Sequence, residues 1–402
     1  MANSRTKSSN RLLVIDDDPG ILEVIEDVAT ENGYEVLCTD NADEFRRILK
    51  SFDPTLIFVD LIIPGTDGIE LLRELGETRS KAPIAMMSGM DSKVLATARR
   101  LGADHGLKIL PVISKPVTVD DLEDRLHQGW HESLNVTKDA LALAIKSGEV
   151  KPYYQAKVTL AADGSLPIHG AEALVRWAHP DRGLLSPVSF LAVAEKTGLI
   201  EELTDKVVYC AIEQLKRLND KGFDISIAVN LAPQLLTDLK LPDKIVERLA
   251  RFGALSKNFA LEITESAAMA EGVNTLDILT RFRVKQIGLS MDDFGTGYSS
   301  LVELYRMPFS ELKIDQSFVL DIDETEEARI IVRSLCDLAR NLGLTTCAEG
   351  VETQSALEYL RSVGCDKAQG FLISEAVPAD EFMDFVDTWD DGRRLTQIAV
   401  AS

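Results

Sequence analysis

Between residues 11 and 128 the chain alternates short apolar runs with amphipathic stretches. Leu12–Ile15, Glu35–Cys38, Leu56–Val59, Ile84–Met87 and Val112–Ser114 are strand candidates, and a helical pattern follows each. Five such units in about 120 residues predict a doubly wound (βα)5 domain built on a parallel sheet. Residues 129–149 begin polar and turn helical from Thr137 to Lys146, until Ser147-Gly148 breaks the pattern; this predicts a linker helix. Residues 150–392 hold eight more strand candidates separated by helical stretches: Pro152–Val158, Ala171–Trp177, Ile225–Leu231, Phe259–Thr264, Gly288–Asp292, Glu311–Ile314, Thr345–Ala348 and Ala368–Ile373. Eight units over roughly 240 residues predict a (β/α)8 TIM-type barrel. The fold class is therefore α/β, with a doubly wound domain (11–128) followed by a barrel (150–392). Residues 1–10 and 393–402 are expected to be tails, the first of them disordered.

Acids interrupt the apolar pattern where strands end. In the first domain Asp16 and Asp17 follow strand one, Asp60 ends strand three, Ser88 follows strand four and Lys115 follows strand five. All would lie at the C-terminal edge of one parallel sheet, where ligands bind in such folds. Three carboxylates there suit Mg²⁺ through oxygen ligands. A lysine and a hydroxyl beside them could stabilise a phosphoryl group moving to a carboxylate nucleophile.

The barrel segment repeats the motif more densely. Glu172, Glu262, Asp292, Asp293, Glu349 and Glu352 fall at or near the ends of strand candidates, where barrels build their active sites. Buried acids require cations. Two divalent ions and Lys313 would nearly balance this set, with Asn230 as a neutral oxygen ligand. Two ions a few ångströms apart favour in-line attack of an activated water on a phosphodiester. Arg176, four residues after Glu172, offers a planar donor fork for phosphate. Singly, each residue has a plainer use: Asp292-Asp293 could cap a helix, and Lys313 could pair with Asp315. Their shared position at strand ends favours the catalytic reading.

Composition narrows the classes. Hydrophobic residues make up 45% and charged residues 27%, ordinary for a globular chain. No apolar run approaches the ~20 residues of a membrane helix, and the N-terminus has no signal-like apolar core. Five scattered cysteines without Cys-x-x-Cys spacing favour reduced thiols over a zinc site, so a cytoplasmic location is expected. A net charge of −22 disfavours DNA and anionic membrane as partners, but local metal and arginine can still hold a small phosphorylated ligand.

Residues 11–128 resemble response-regulator receiver domains over their full length. The resemblance implies phosphorylation at Asp60 by a cognate histidine kinase. It also implies one Mg²⁺ held by Asp16, Asp17 and Asp60, and phosphoryl sensing by Ser88 and Lys115. Receivers often carry an aromatic switch residue three positions before the lysine; here that position is Val112.

Residues 140–390 resemble EAL-domain phosphodiesterases, which cleave cyclic di-GMP to linear pGpG. The matching motifs are Glu172-Ala-Leu-Val-Arg176, Asn230, Leu261-Glu-Ile-Thr-Glu265, Asp292-Asp-Phe-Gly-Thr-Gly-Tyr-Ser-Ser-Leu301, Lys313-Ile-Asp315, Ala348-Glu-Gly-Val-Glu352 and Gln369-Gly-Phe371. The family often has Gln-Pro in the first strand, where this chain has Gln155-Ala156.

The resemblance implies two Mg²⁺ or Mn²⁺ ions. Glu172, Asn230, Glu262 and Asp292 would hold one, and Asp292, Asp293 and Glu349 the other. Lys313 would contact the attacking water, and Glu349 could serve as its base. Glu352 and Gln369 would complete the site. Gln155, Arg176 and Gln369 would contact substrate. Glu265 would anchor the loop after Asp293. A homodimer or higher oligomer is implied as well. The expected function is a phosphorylation-controlled cyclic di-GMP phosphodiesterase; the alternative is a catalytically silent cyclic di-GMP receptor that signals through protein contacts.

Overall fold

The computed structural model describes residues 10–392 apart from 64–65, 79, 90–91, 116, 119–121, 123–124, 127–128, 130–135, 181, 269–272 and 295–300. The side chains of 67, 92–94, 96, 103–104, 114, 273, 293 and 301–303 also lie outside the description. Both expected tails therefore fall outside it, apart from Asn10. The chain divides into two compact units, Met1–Val136 and Thr137–Ser402.

The first unit carries β1 (Asn10–Ile15), β2 (Tyr34–Thr39), β3 (Leu56–Asp60), a small hairpin of β4 (Ile62–Ile63) and β5 (Thr66–Asp67), β6 (Ile84–Ser88) and β7 (Ile113–Ser114). The main sheet is parallel, in the order β2-β1-β3-β6-β7. The strand order reverses beside β1, so the carboxyl ends of β1 and β3 flank a crevice that no crossover covers. Side-chain alternation sorts the core onto two faces. Leu13, Ile15, Ile57, Val59 and Met86 pack on one, and Leu12, Val14, Leu56, Phe58 and Met87 on the other. Because both faces are covered, these strands appear as continuous apolar runs.

The second unit is a closed eight-stranded barrel. Its strands are β8 (Val150–Thr159), β9 (Ile168–His179), β11 (Ser226–Asn230), β12 (Phe259–Thr264), β13 (Gly288–Phe294), β14 (Glu311–Ile314), β15 (Thr345–Ala348) and β16 (Lys367–Ala368), with β10 (Gly183–Leu185) paired outside β9. One correction concerns the first unit of the barrel. β8 runs antiparallel to both neighbours and closes the ring against β9. Residues 160–167 are too few for a crossover helix, so β8 and β9 form a hairpin rather than a β/α unit. The eighth strand is also shorter than expected: Ile373 and Ser374 bond back to the Gly370 carbonyl in a turn. The helix Lys138–Ser147, read as a linker, belongs to the second unit and buries Leu141, Ala144 and Ile145.

Alternation along the barrel strands gives an unusual division. Leu261, Ile263, Leu289, Met291, Leu312 and Ile314 face outward and join Ile278, Phe282, Val332 and Leu357 of the surrounding helices in one apolar cluster. The alternate positions are Glu262, Ser290, Asp292, Glu311 and Lys313, all buried. Barrel interiors are usually filled by branched aliphatic side chains; this one is filled by charge. Glycine keeps the wall close where β9 meets β11. A Cβ on Gly170 would lie 2.4 Å from Ser226 Oγ and 2.5 Å from the Ser226 carbonyl oxygen.

Gly170→Ala is therefore expected to destabilise the barrel by about 1–3 kcal/mol, since the backbone carbonyl cannot step aside. Chemical unfolding followed by tryptophan fluorescence measures it; an unchanged midpoint would contradict the close approach of these strands.

Candidate functional site

In the first unit Lys115 Nζ lies 2.8 Å from Asp16 Oδ2 and 2.7 Å from Asp60 Oδ2, at the ends of β1 and β3. The backbone amides of Asp18 and Ile62 donate to the remaining oxygens of Asp16 and Asp60, at 3.0 and 3.1 Å. Asp16, Asp17 and Asp60 each offer an oxygen, all within 4.8 Å of one another, as a divalent ion requires. Asp16 and Asp60 are buried and Asp17 is exposed. Burial raises the Asp16 pKa, against the pull of Lys115. Ser88 is buried at the end of β6, and Val112 packs against the core of the unit.

In the barrel the acids are arranged around an ammonium. Lys313, at 1% exposure, places Nζ 3.3 Å from Glu172 Oε2, 2.5 Å from Glu262 Oε2 and 2.9 Å from Asp292 Oδ1, and pairs with Glu349 as well. These partners come from β9, β12, β13 and the segment after β15. Asn230 Nδ2, at the end of β11, donates to Glu172 Oε1 at 2.7 Å. Gln369 Nε2 donates to Glu172 Oε2 at 3.0 Å and to Gln155 Oε1 at 2.9 Å; Gln155 is held in turn by the Ser374 carbonyl at 3.0 Å. A pocket of about 250 Å³ opens over this centre and is lined in part by Gln155, Glu172, Asp292, Lys313, Glu349 and Glu352.

Not every expected residue joins them. Arg176 bonds the Val175 carbonyl at 2.9 Å and does not line the pocket. Glu265 is buried at the head of the short helix Glu265–Ala268, but the loop it was expected to anchor (295–300) and the Asp293 side chain lie outside the described residues. The β13–β14 register shifts between Met291 and Phe294.

One participant was missed. Lys157 on β8 is 3% exposed, and its ammonium pairs with Glu262 Oε1. A single lysine inside an apolar strand looks like a solvent-facing residue; only its period-2 spacing from Gln155 placed it inside. Elsewhere on the inward face, Ser290 Oγ and Lys367 Nζ donate to Glu311 at 2.7 and 2.6 Å.

Four carboxyl groups thus meet two ammoniums among these described residues, an excess of two negative charges only when all four are ionised. Burial and Glu172 push the Glu262 pKa up to about 7, and burial and Asp292 push Glu349 up to about 8, each against Lys313. Burial also opposes ionisation of Glu172, but Lys313, Lys157, Gln369 and Asn230 overcome it and hold Glu172 well below the usual range. Hard oxygen donors and acids that retain protons for want of cations are what divalent ions fit. Gln369 Oε1 is also buried without a donor.

The family model described as "EAL domain" matches residues 138–376. The chain belongs to the EAL domain family. A "Response regulator receiver domain" model matches residues 12–127, so a receiver precedes the EAL domain. Cyclic di-GMP phosphodiesterase RocR of Pseudomonas aeruginosa is 30% identical over 336 residues, which are 81% of this chain and 85% of RocR. The bifunctional diguanylate cyclase/cyclic di-GMP phosphodiesterase MucR of the same organism is 39% identical over 262 residues, 65% of this chain. The chain spans 31–38% of the length of three curated relatives it matches, MucR among them. A solved structure of the MucR phosphodiesterase in complex with c-di-GMP is 40% identical, with a TM-score of 0.58, covering 61% of this chain and 98% of that one. Among the described residues no helix is long and apolar enough to cross a membrane.

The EAL centre carries a pH signature. Glu262 and Glu349 titrate above their ordinary value of 4.5 in the fold. A raised acid stabilises the fold fully below its ordinary value, and that contribution is lost as pH rises through the raised one. Chelated protein is therefore expected to lose barrel stability from about pH 5 to about pH 8, and Mn²⁺ to restore it by binding the ionised acids. Thermal unfolding at both ends of that window, with chelator and with Mn²⁺, measures it. Greater stability of the chelated protein at the upper end would refute the raised values.

Proposed function

We propose that this chain hydrolyses cyclic di-GMP to linear pGpG at the EAL centre, under control of phosphorylation at Asp60. The observation that supports it most is the Lys313 ammonium ringed by Glu172, Glu262, Asp292 and Glu349 beneath an open pocket. Family membership and the similarity to RocR across both domains point the same way.

In this reading Glu172, Asn230, Glu262 and Asp292 hold one divalent ion, Mg²⁺ or Mn²⁺, and Asp292, Asp293 and Glu349 the second. Two bound ions would lower the pKa of the attacking water and neutralise phosphate charge. The remaining steps belong to the chain's own groups. Glu349, once ionised, takes the proton of the attacking water. Lys313 keeps its proton and presents a fixed positive charge to the water or a phosphate oxygen. Its four carboxylate partners hold its pKa well above the ordinary value, although burial alone would lower it. Gln369, bonded to Gln155 and to Glu172, orients substrate together with Gln155, while Glu352 lines the pocket. Arg176 reaches substrate only if it leaves the Val175 carbonyl, and Glu265 steadies the loop after Asp293.

In the receiver, Asp60 accepts the phosphoryl group from a histidine kinase or a small phosphodonor. Lys115 stands 2.7 Å from it, ready to pair with the new charge. Ser88 and one Mg²⁺ on Asp16, Asp17 and Asp60 complete that site.

Two outcomes are expected. Glu349→Ala should lower turnover of cyclic di-GMP by at least about 10²-fold while circular dichroism stays native. Product analysis by chromatography, with and without Mg²⁺, reads this, and near-normal turnover would remove Glu349 from the mechanism. Acetyl phosphate should change the rate of wild type but not of Asp60→Asn; equal wild-type rates with and without the donor would end the claim of phosphoregulation.

A further inference from the structure

The barrel has a second opening. A cavity of about 710 Å³ lies at the mouth opposite the acid cluster and takes a residue from one end of every barrel strand, Thr159 of β8 and Lys367 of β16 among them. Barrel interiors are ordinarily plugged by branched aliphatic side chains. Here Ala228, Ala260 and Gly288 leave the mouth open, at a volume typical of small-molecule sites. Cations outnumber acids in its lining: Lys157, Lys257, Arg283 and Lys367 stand against Asp224 and Glu311. Two of these cations are closely paired, Lys367 with Glu311 at 2.6 Å and Lys157 with Glu262. Lys257 reaches Asp224 only at 3.4 Å, and both side chains are more than half exposed. Arg283 is exposed, donates to the Ile287 carbonyl at 3.4 Å and has no ion pair among the described residues. A guanidinium fork without a carboxylate, together with a loosely held ammonium, suits a phosphate group. Gln286 has φ 64°, where glycine would sit without strain, yet the chain keeps a side chain there and it lines the same cavity.

We propose that this mouth is an effector site for a small organic phosphate, held by Arg283 and Lys257 and sensed by Lys157. Lys157 lines the cavity while its ammonium holds one oxygen of Glu262, whose other oxygen is held by Lys313. It therefore joins the cavity to the ion-pair cluster of the EAL centre. An anion in the cavity attracts the Lys157 ammonium and weakens its hold on Glu262, which changes the charge that the cluster presents. The binding site stands without any assigned activity; its effector role rests on the phosphodiesterase reading above.

The test is calorimetric titration of the full chain with AMP, ribose 5-phosphate and adenosine, in chelator so that no divalent ion can hold phosphate at either acid site. Wild type should bind the phosphates and take adenosine at least about tenfold more weakly. Binding of AMP alone narrows the class to nucleotides, and of ribose 5-phosphate alone to sugar phosphates. Arg283→Gln and Lys257→Gln, both at exposed positions and checked by circular dichroism, should each weaken the phosphate by about tenfold. Failure of wild type to bind either phosphate, equal binding of adenosine, or unchanged affinity in either variant overturns the site. Steady-state cleavage of cyclic di-GMP with Mn²⁺ then reads the effector role. A saturating level of the phosphate that binds should change kcat/KM of wild type by about fivefold or more and leave Arg283→Gln unaffected. No change in wild type, or an equal change in both proteins, refutes that role. If wild type cleaves no cyclic di-GMP at all, the phosphodiesterase reading fails and the titrations alone decide the site.

Discussion

A lysine ammonium at 1% exposure cannot exist without anionic partners, and the barrel is arranged to supply them to Lys313. Each of β9, β12 and β13, and the segment after β15, contributes one acid, so four elements must converge for the charge to be tolerated. The partners are just as dependent. Glu172 stays ionised only because Lys313 and Lys157 oppose its burial, and Glu262 has an ammonium on each carboxylate oxygen. Gln369 and Asn230 satisfy the oxygens of Glu172 and thereby fix its orientation. Space for this polar interior comes from small residues: Gly170, Ala228, Ala260 and Gly288 lie on the inward register of β9, β11, β12 and β13. The hydrophobic work is moved outward, to the seam between strands and helices.

The receiver uses the same physics on a smaller scale. Lys115 lies between Asp16 and Asp60 as Lys313 lies among its four acids. In both units the acids stand at or near the carboxyl ends of parallel strands, where several chain segments bring charge together without burying a loop. In both, an ammonium meets carboxylates that hard divalent ions also suit. The difference is depth. Lys115 retains 22% of its side-chain surface and borders an open crevice, whereas Lys313 lies inside a closed wall. An open crevice suits a site that a second protein must reach; an enclosed one suits chemistry that needs a fixed field.

Much of this was legible in the chain because the strands are covered on both sides. Phe259–Thr264, Glu311–Ile314 and Thr345–Ala348 were read with the bounds the structure has, since each is a short run ended by a polar break. The direction of β8 was not legible: hydrophobic spacing reports a strand but not its sense, and the short connection 160–167 was the one clue to a hairpin. The end of β16 was overrun because Phe371-Leu-Ile373 continues an apolar pattern through a turn set by Gly370. Glu172, Glu262, Asp292, Glu349 and Lys313 were readable as a group through their strand-end positions. Lys157 was not, because its partner Glu262 is 105 residues away and only barrel closure joins them. Arg176 is read as a substrate contact by type and spacing alone, and its guanidinium bonds the neighbouring Val175 carbonyl.

The excess charge at the centre also orders events. With all four acids ionised, four carboxylates against two ammoniums would leave the site negative, inside a chain whose overall charge is already −22. A cyclic dinucleotide carries two phosphate charges of the same sign. In a pocket with low-dielectric walls that repulsion is poorly screened, because the ~8 Å screening length of physiological salt acts on solvent-exposed charge rather than on buried charge. Where the acids are ionised, divalent cations would therefore have to enter before such a dianion. Divalent ions held by these acids would displace the protons that Glu262 and Glu349 keep near neutrality. The charge that develops as those acids ionise at high pH is what would destabilise a metal-free centre, and pairing it with divalent ions would leave a field that an anion can enter.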